Sequence, residues 1–274
     1  MAFISCLLKS EVLQSTVDVK LYFPCDLPEY VGNKVKGVIT LLHGYTGCGD
    51  DWLQMTAASR YAADNGLVLI APSVGNCFYN DMAYGGAYFT FINEEMPLLL
   101  QKIFKIPTER KNNFIAGLSM GGYGALLLAL SKPHQYAAAA SFSGAVDLSL
   151  MLEHGDKDMM KAVLAPVFGD ELRLKSEQNL FELAKKVSKM PKDEQPRILC
   201  TCGNQDMETY MIKVQNDRFA ALASTLPLDY TYKCWDGIHE WSFWDRSLVL
   251  AIDWFLHNDY AARKLSDWSK PETK

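Results

Sequence analysis

Gly117-Leu118-Ser119-Met120-Gly121 sets one serine hydroxyl between two glycines, directly after the short apolar run Phe114-Ile115-Ala116. In a Gly-x-Ser-x-Gly turn that joins a strand to a helix, the hydroxyl projects from a sharp bend toward a base and can attack an acyl carbonyl. The glycines make room for the bend. Downstream, Gly122-Tyr123-Gly124-Ala125 leads into a helix-like run from Leu126 to Leu130, which puts Ser119 at a helix start. There the helix dipole and the backbone N–H of Met120 favour an oxyanion beside the nucleophile. Such a motif also arises by chance, so its weight rests on its flanks and on the partners found elsewhere in the chain.

A hydroxyl nucleophile needs a base and an acid, which in an α/β-hydrolase follow it in the order serine, acid, histidine. Four of the five histidines lie beyond Ser119. His134 follows Pro133 at a helix end, His154 lies in a charged stretch and His257 stands near the end of the last helix; these read as surface or capping residues. His239 is different, because Asp236-Gly237-Ile238-His239-Glu240-Trp241 forms a loop between the last expected strand and the last helix, where a general base belongs. The acid is expected on the loop after the preceding strand. Gly203-Asn204-Gln205-Asp206 occupies that place, making Asp206 the candidate to orient the imidazole. Asp236 is its competitor, with a turn role before Gly237 as the simpler account.

A second oxyanion donor is expected from the loop after an early strand. Leu42-His43-Gly44-Tyr45-Thr46-Gly47 fits, and the N–H of Tyr45, with that of Met120, is the choice for the oxyanion hole. His43 precedes Ser119, so it is expected to support this loop by hydrogen bonding and not to act as the base.

Short apolar runs alternating with helical patterns must position these groups, which predicts a mostly parallel sheet with helices on both faces. Strands are expected at 35–42, 67–73, 113–118, 138–143, 198–203 and 230–235, and helices at 56–65, 89–104, 121–130, 180–189, 209–224 and 243–257. Residues 3–13 and 17–23 are expected to form an antiparallel edge. The charged, Met-rich stretch 148–192 is longer than a crossover requires and reads either as a helical insertion over the site or as a solvated excursion. The tail from Ala261 is polar and is expected to fray.

At 274 residues, with 49% hydrophobic and 22% charged residues, the chain suits one globular α/β domain spanning 1–274. A net charge of −5 and the absence of basic runs argue against a nucleic-acid partner and favour a small-molecule substrate. Met1 to Leu8 lacks a basic flank and a cleavage site, so a strand is expected there and not a signal peptide; with no membrane-length apolar run, a cytoplasmic protein is expected. The seven cysteines are scattered without zinc-type spacing, and Cys200-x-Cys202 lies in an apolar run as expected for core residues. A homo-oligomer is compatible with this composition.

With these residues in place, the chain resembles the esterase D family of α/β-hydrolases, which includes S-formylglutathione hydrolases, and within it the bacterial tributyrin-esterase type. The resemblance runs in order through Leu42 to Gly47 with Trp52, Phe78-Tyr79-Asn80-Asp81-Met82 with Tyr84-Gly85, the run 91–97, Gly117 to Gly124, Phe168-Gly169-Asp170, Cys202-Gly203 with Asp206, and Gly237 to Trp241 with Phe243-Trp244-Asp245. It implies the α/β-hydrolase fold and carboxylesterase activity on short acyl esters without metal or organic cofactor, with acetylated sugars or feruloyl esters as further substrate types. Ser119, Asp206 and His239 fall on the family's triad, and Tyr45 and Met120 on its oxyanion positions. S-formylglutathione hydrolases usually carry a cysteine directly after the threonine of the oxyanion loop; here Gly47 takes that place and Cys48 follows, which weakens the thioester alternative. Tyr79, Asp81 and Tyr84 are candidates to line the acyl or alcohol pocket, the alternative being that they pin their own loop down. Acyl transfer to a non-water acceptor would use the same residues, whereas a noncatalytic binding protein on this scaffold would be expected to have a broken triad.

Overall fold

The computed structural model describes residues 1–25, 35–154, 156–207 and 210–265, except the side chain of Lys157. One eight-stranded sheet organises them, in the order β1-β2-β4-β3-β5-β6-β7-β8. Its strands are β1 (Ala2–Ser10), β2 (Ser15–Phe23), β3 (Gly37–Leu42), β4 (Leu67–Pro72), β5 (Asn113–Leu118), β6 (Ala138–Phe142), β7 (Arg197–Gly203) and β8 (Tyr230–Trp235). Strands β3 to β8 run parallel, and the β1–β2 hairpin pairs with them through β2, which is antiparallel to β4. This is the α/β-hydrolase architecture, and it matches the expected edge and parallel core.

Sequence pattern explains the difference between edge and centre. β1 alternates exposed and half-buried residues over most of its length, as suits a strand with one solvated face. β3 and β4 are buried at every position, because helices cover both sides. The two-residue period then divides the apolar side chains between two cores. Val38 and Leu42 join Ile115, Cys200 and Cys202 on one face, while Ile39, Leu41, Ala116 and Leu199 face Trp52 and the C-terminal helix on the other.

The helices are α1 (Asp50–Met55), α2 (Ala58–Asn65), α3 (Tyr88–Thr90), α4 (Met96–Phe104), α5 (Met120–Ser131), α6 (Leu148–His154), α7 (Lys157–Phe168), α8 (Leu180–Val187), α9 (Ile212–Ala223), α10 (Trp241–Leu256) and α11 (Tyr260–Leu265). Residues Phe91–Glu95 connect α3 to α4 as a π-helical turn. Helix α5 is buried on every side from Met120 to Leu130, so its even hydrophobicity marks a central helix. The helix expected at 56–65 begins at Ala58, and a separate helix, α1, precedes it. Thr56 is extended and ends α1, its hydroxyl and the Asp245 carboxylate accept the N–H groups of Ala58 and Ala57, and α2 begins there.

Two further expectations need adjustment. The segment after Ala261 is helical to Leu265, because buried Tyr260 donates its hydroxyl to Asp64 at 2.9 Å and Lys264 pairs with the same carboxylate at 2.7 Å; the remainder of the tail expected to fray lies outside the described residues. The helix expected at 209–224 starts at Ile212, and Thr209 lies outside the described residues. Between β6 and β7, the stretch 148–192 folds as α6, α7 and α8 with intervening 3-10 turns.

Candidate active site

Ser119 stands between the end of β5 and the start of α5 with φ 52° and ψ −117°, a conformation that side-chain-bearing residues rarely adopt. The surroundings hold it there. Its N–H donates to Phe142 O at 2.9 Å, and its carbonyl accepts from the N–H groups of Gly122, Tyr123 and Ala145 at 3.0–3.1 Å. The glycines of the motif answer a steric need, since a Cβ on Gly117 would stand 2.2 Å from Gly121 O, and one on Gly121 would stand 2.3 Å from Leu42 O. The N–H of Met120 lies in the first turn of α5, where no intrahelical acceptor is available to it.

Asp206 and His239 come together from the loops after β7 and β8. Nδ1 of His239 lies 3.0 Å and 3.2 Å from the two carboxylate oxygens of Asp206. Asp206 is 4% exposed, whereas the His239 side chain retains 33% of its surface. A proton on Nδ1 satisfies the carboxylate and leaves the Nε2 lone pair to take another proton. The Trp244 ring packs at right angles against the imidazole, with centroids 4.9 Å apart and planes at 87°. Asp236 goes elsewhere, accepting from Asn204 Nδ2 at 2.8 Å and Gln205 Nε2 at 3.3 Å. Among the described residues, Ser119 Oγ makes no hydrogen bond to His239; a nucleophile–base bond of this kind often tightens only with substrate bound.

The loop after β3 is pinned from several sides. His43 is fully buried; its Nδ1–H donates to Gly44 O at 2.7 Å, and its Nε2 accepts from Val74 N at 3.1 Å. These partners fix the neutral tautomer, and burial lowers the imidazole pKa below its ordinary value. Trp52 Nε1 donates to Leu42 O at 3.0 Å, and Thr46, at φ 65°, donates its N–H to Asn76 Oδ1 at 2.7 Å. Burial first, and then the Asp51 carboxylate, raise the Cys48 thiol pKa against a lowering contribution from the Asp50 N–H, and the net rise disfavours the thiolate.

Ser119, Met120 and Tyr45 border one small cleft, partly open to solvent. Its other walls are Phe78, Ala145, Met151, Val163, Tyr210 and Ile212, none of them charged. Met151 belongs to α6 and Val163 to α7, so the 148–192 stretch supplies part of this wall. The sequence assigned none of these six residues to a pocket, since such side chains carry little chemical signature and their selection depends on which loops converge.

The three candidate pocket residues are used otherwise. Tyr79 is 0% exposed and donates its hydroxyl to His43 O at 2.7 Å, which makes it a prop beneath the loop after β3. Asp81 accepts from both the N–H and the hydroxyl of Thr90, at 2.9 and 2.7 Å, closing its own loop onto α3. Tyr84, 62% exposed, donates to Asp170 Oδ2 at 3.0 Å and clips that loop to the segment after α7. None of the three borders the cleft at Ser119. Among the described residues, no group of three or more His, Cys, Asp or Glu side chains could hold a metal ion, and no helix is long and apolar enough to cross a membrane.

Comparison with known proteins places the chain among esterases. The model of the Putative esterase family matches residues 10–255. An acetyl esterase of Caldicellulosiruptor saccharolyticus is 28% identical over 257 residues, covering 89% of this chain and 94% of the relative. Among solved structures, the substrate-bound fluorophosphonate-binding serine hydrolase F (FphF) of Staphylococcus aureus matches with TM-score 0.82 at 27% identity, over 94% of this chain and 99% of that one. The S-formylglutathione hydrolase FrmB of Staphylococcus aureus, as apoenzyme, matches with TM-score 0.78 at 27% identity, over 93% and 98%.

Proposed function

The chain belongs to this esterase family and is a serine carboxylic ester hydrolase, and from that premise we propose that it hydrolyses short-chain acyl esters through a Ser119–His239–Asp206 triad. Ser119 Oγ attacks the ester carbonyl as His239 Nε2 takes its proton, while Asp206 balances the imidazolium. The tetrahedral oxyanion is received by the N–H groups of Tyr45 and Met120. Collapse expels the alcohol, protonated by His239, and leaves an acyl-Ser119 ester. Water then attacks that ester by the same route, releasing the acid and restoring the serine.

The observation that carries this proposal is the hydrogen bond between Asp206 and His239 from two successive strand-end loops, in a chain whose only Gly-x-Ser-x-Gly serine sits strained at the head of α5. The substrate class is inferred from the cleft and from the acetyl esterase relative. An apolar wall without a charged group suits a small uncharged acyl chain. Glutathione carries two carboxylates, and no cationic side chain borders the cleft to receive them. The place of Gly47 directly after Thr46 points the same way. The fold match does not by itself select a substrate.

The test is turnover of p-nitrophenyl esters from acetate to octanoate, with S-formylglutathione and methyl ferulate alongside, by the native enzyme, Ser119→Ala and Asp206→Asn. Turnover is expected to fall with chain length, to vanish in Ser119→Ala and to drop by on the order of 10⁴ in Asp206→Asn, where the imidazole adopts the wrong tautomer. Full activity in Ser119→Ala would refute the triad, and preference for S-formylglutathione would refute the substrate class.

A further inference from the structure

Asp206 and His239 stand on two short connections that leave the sheet at its edge. Strand β8 is the terminal strand and is only partly buried, and the segments 204–207 and 236–240 that follow β7 and β8 contain no helix or strand of their own. What holds the acid and the base in register is a set of bonds between the two connections. The backbones approach so closely that a Cβ on Gly203 would stand 2.2 Å from Gly237 O. Asn204 N donates to Trp235 O at 2.9 Å, and Gln205 N donates to Gly237 O at 3.1 Å.

The Gln205 side chain completes the connection in both directions. Its carbonyl Oε1 accepts from Gly237 N at 2.7 Å, and its Nε2 donates to Asp236 Oδ1 at 3.3 Å. That same oxygen accepts from Asn204 Nδ2 at 2.8 Å. One residue before the acid therefore grips the backbone two residues before the base and the carboxylate three residues before it. Nothing in this arrangement borders the cleft at Ser119.

We propose that Gln205 and Asp236 act as a clamp that sets the His239 imidazole against Asp206, and so are positioning residues for catalysis. The proposal rests on the triad assigned above. The hydrogen bonds from Asn204 and Gln205 hold the Asp236 carboxyl below its ordinary pKa, so the acceptor persists through the pH range in which a histidine serves as a base. Because these side-chain bonds are exposed, they add little to global stability, whereas small errors in triad geometry reduce rate strongly.

The test compares steady-state p-nitrophenyl acetate hydrolysis and thermal melting for the native enzyme, Gln205→Met, Gln205→Glu, Gln205→Glu/Asp236→Asn and Ser119→Ala. Gln205→Met keeps the side-chain length but removes both bonds, and kcat is expected to fall about tenfold with KM and melting temperature unchanged. Gln205→Glu sets two carboxylates together and is expected to be at least as slow. In the double variant the glutamate accepts from both Gly237 N and the amide introduced at position 236, and kcat is expected to return to within about twofold of native. Native kcat in Gln205→Met, an effect confined to KM, or a double variant no better than Gln205→Glu would overturn the clamp. Turnover surviving in Ser119→Ala would instead remove the triad on which the clamp depends, so the two failures are distinguishable.

Discussion

Gly124→Ala tests the connection between helix α5 and the loop after β3. An added Cβ would stand 2.2 Å from Cδ2, 2.5 Å from Cγ and 3.0 Å from Cβ of Tyr79. Ordinary carbon contact is about 3.5–4.0 Å, so the ring must retreat by more than about 1 Å. Tyr79 is fully buried and its hydroxyl is fixed to His43 O at 2.7 Å, which leaves it little freedom to move. Three terms decide the outcome. Replacing glycine inside the helix gains about 1 kcal/mol, overpacking costs about 1–3 kcal/mol, and breaking the buried phenol bond costs about 1–2 kcal/mol with an unsatisfied group left behind. The steric and hydrogen-bond terms win, giving a net loss of about 2–3 kcal/mol and a fall in melting temperature of about 5–10 °C.

A double-mutant cycle measured by thermal and urea unfolding isolates the contact. In a Tyr79→Ala background the ring atoms are gone and only the 3.0 Å approach of Cβ remains. There Gly124→Ala is expected to be neutral or to gain up to about 1 kcal/mol from helix propensity, so the sign of the substitution changes with its neighbour. Equal destabilisation in both backgrounds would refute the steric account and place the role of Gly124 in the backbone. Because Tyr79 props His43, the single variant should also lose esterase kcat, with KM little affected.

His43 should make stability pH-dependent. Its folded pKa lies below 6.5 chiefly because of burial, so as pH falls through 6.5 the unfolded chain binds a proton that the folded chain refuses. Stability from this group is complete above pH 6.5 and declines on acidification by up to about 1.4 kcal/mol per pH unit; His43→Gln should flatten that part of a urea-melt series, and an unchanged slope would assign it to other groups. Met151→Ala should widen the cleft and raise the octanoate-to-acetate ratio of kcat/KM by about tenfold, roughly the value of one or two added methylenes; a ratio lowered or unchanged would place the acyl chain away from α6. Tyr84→Phe breaks only an exposed bond to Asp170 and should leave p-nitrophenyl acetate kinetics unchanged, whereas a marked rise in KM would return Tyr84 to the substrate.

Much of the framework was legible because its causes are local. The strands at Asn113–Leu118 and Tyr230–Trp235 agree with the expected bounds, since continuous apolar or β-branched and aromatic runs between turn residues leave few alternatives. Helix α1 and the start of α2 at Ala58 rather than Thr56 were not legible, because part of that junction is made by Asp245, a residue 188 positions from the N–H it accepts. The helix beyond Ala261 was missed for a similar reason. Its polar face was plain in the sequence, but the Asp64 carboxylate that anchors Tyr260 and Lys264 comes from α2.

By itself the sequence determined the strand–turn–helix at Ser119 and the alternation that builds a parallel sheet, both consequences of local propensity and spacing, and it put Ser119, Asp206 and His239 in the chain order that the proposed triad requires. Only tertiary structure decided that Asp206 meets His239 while Asp236 turns to Asn204 and Gln205, because the two loops meet through the pairing of β7 with β8. It likewise sent Tyr79 beneath the loop after β3 and drew Met151 and Val163 to the cleft. The physical reason is common to these cases: a side chain's chemistry is written in its type, but its partner is chosen by packing between elements far apart in the chain.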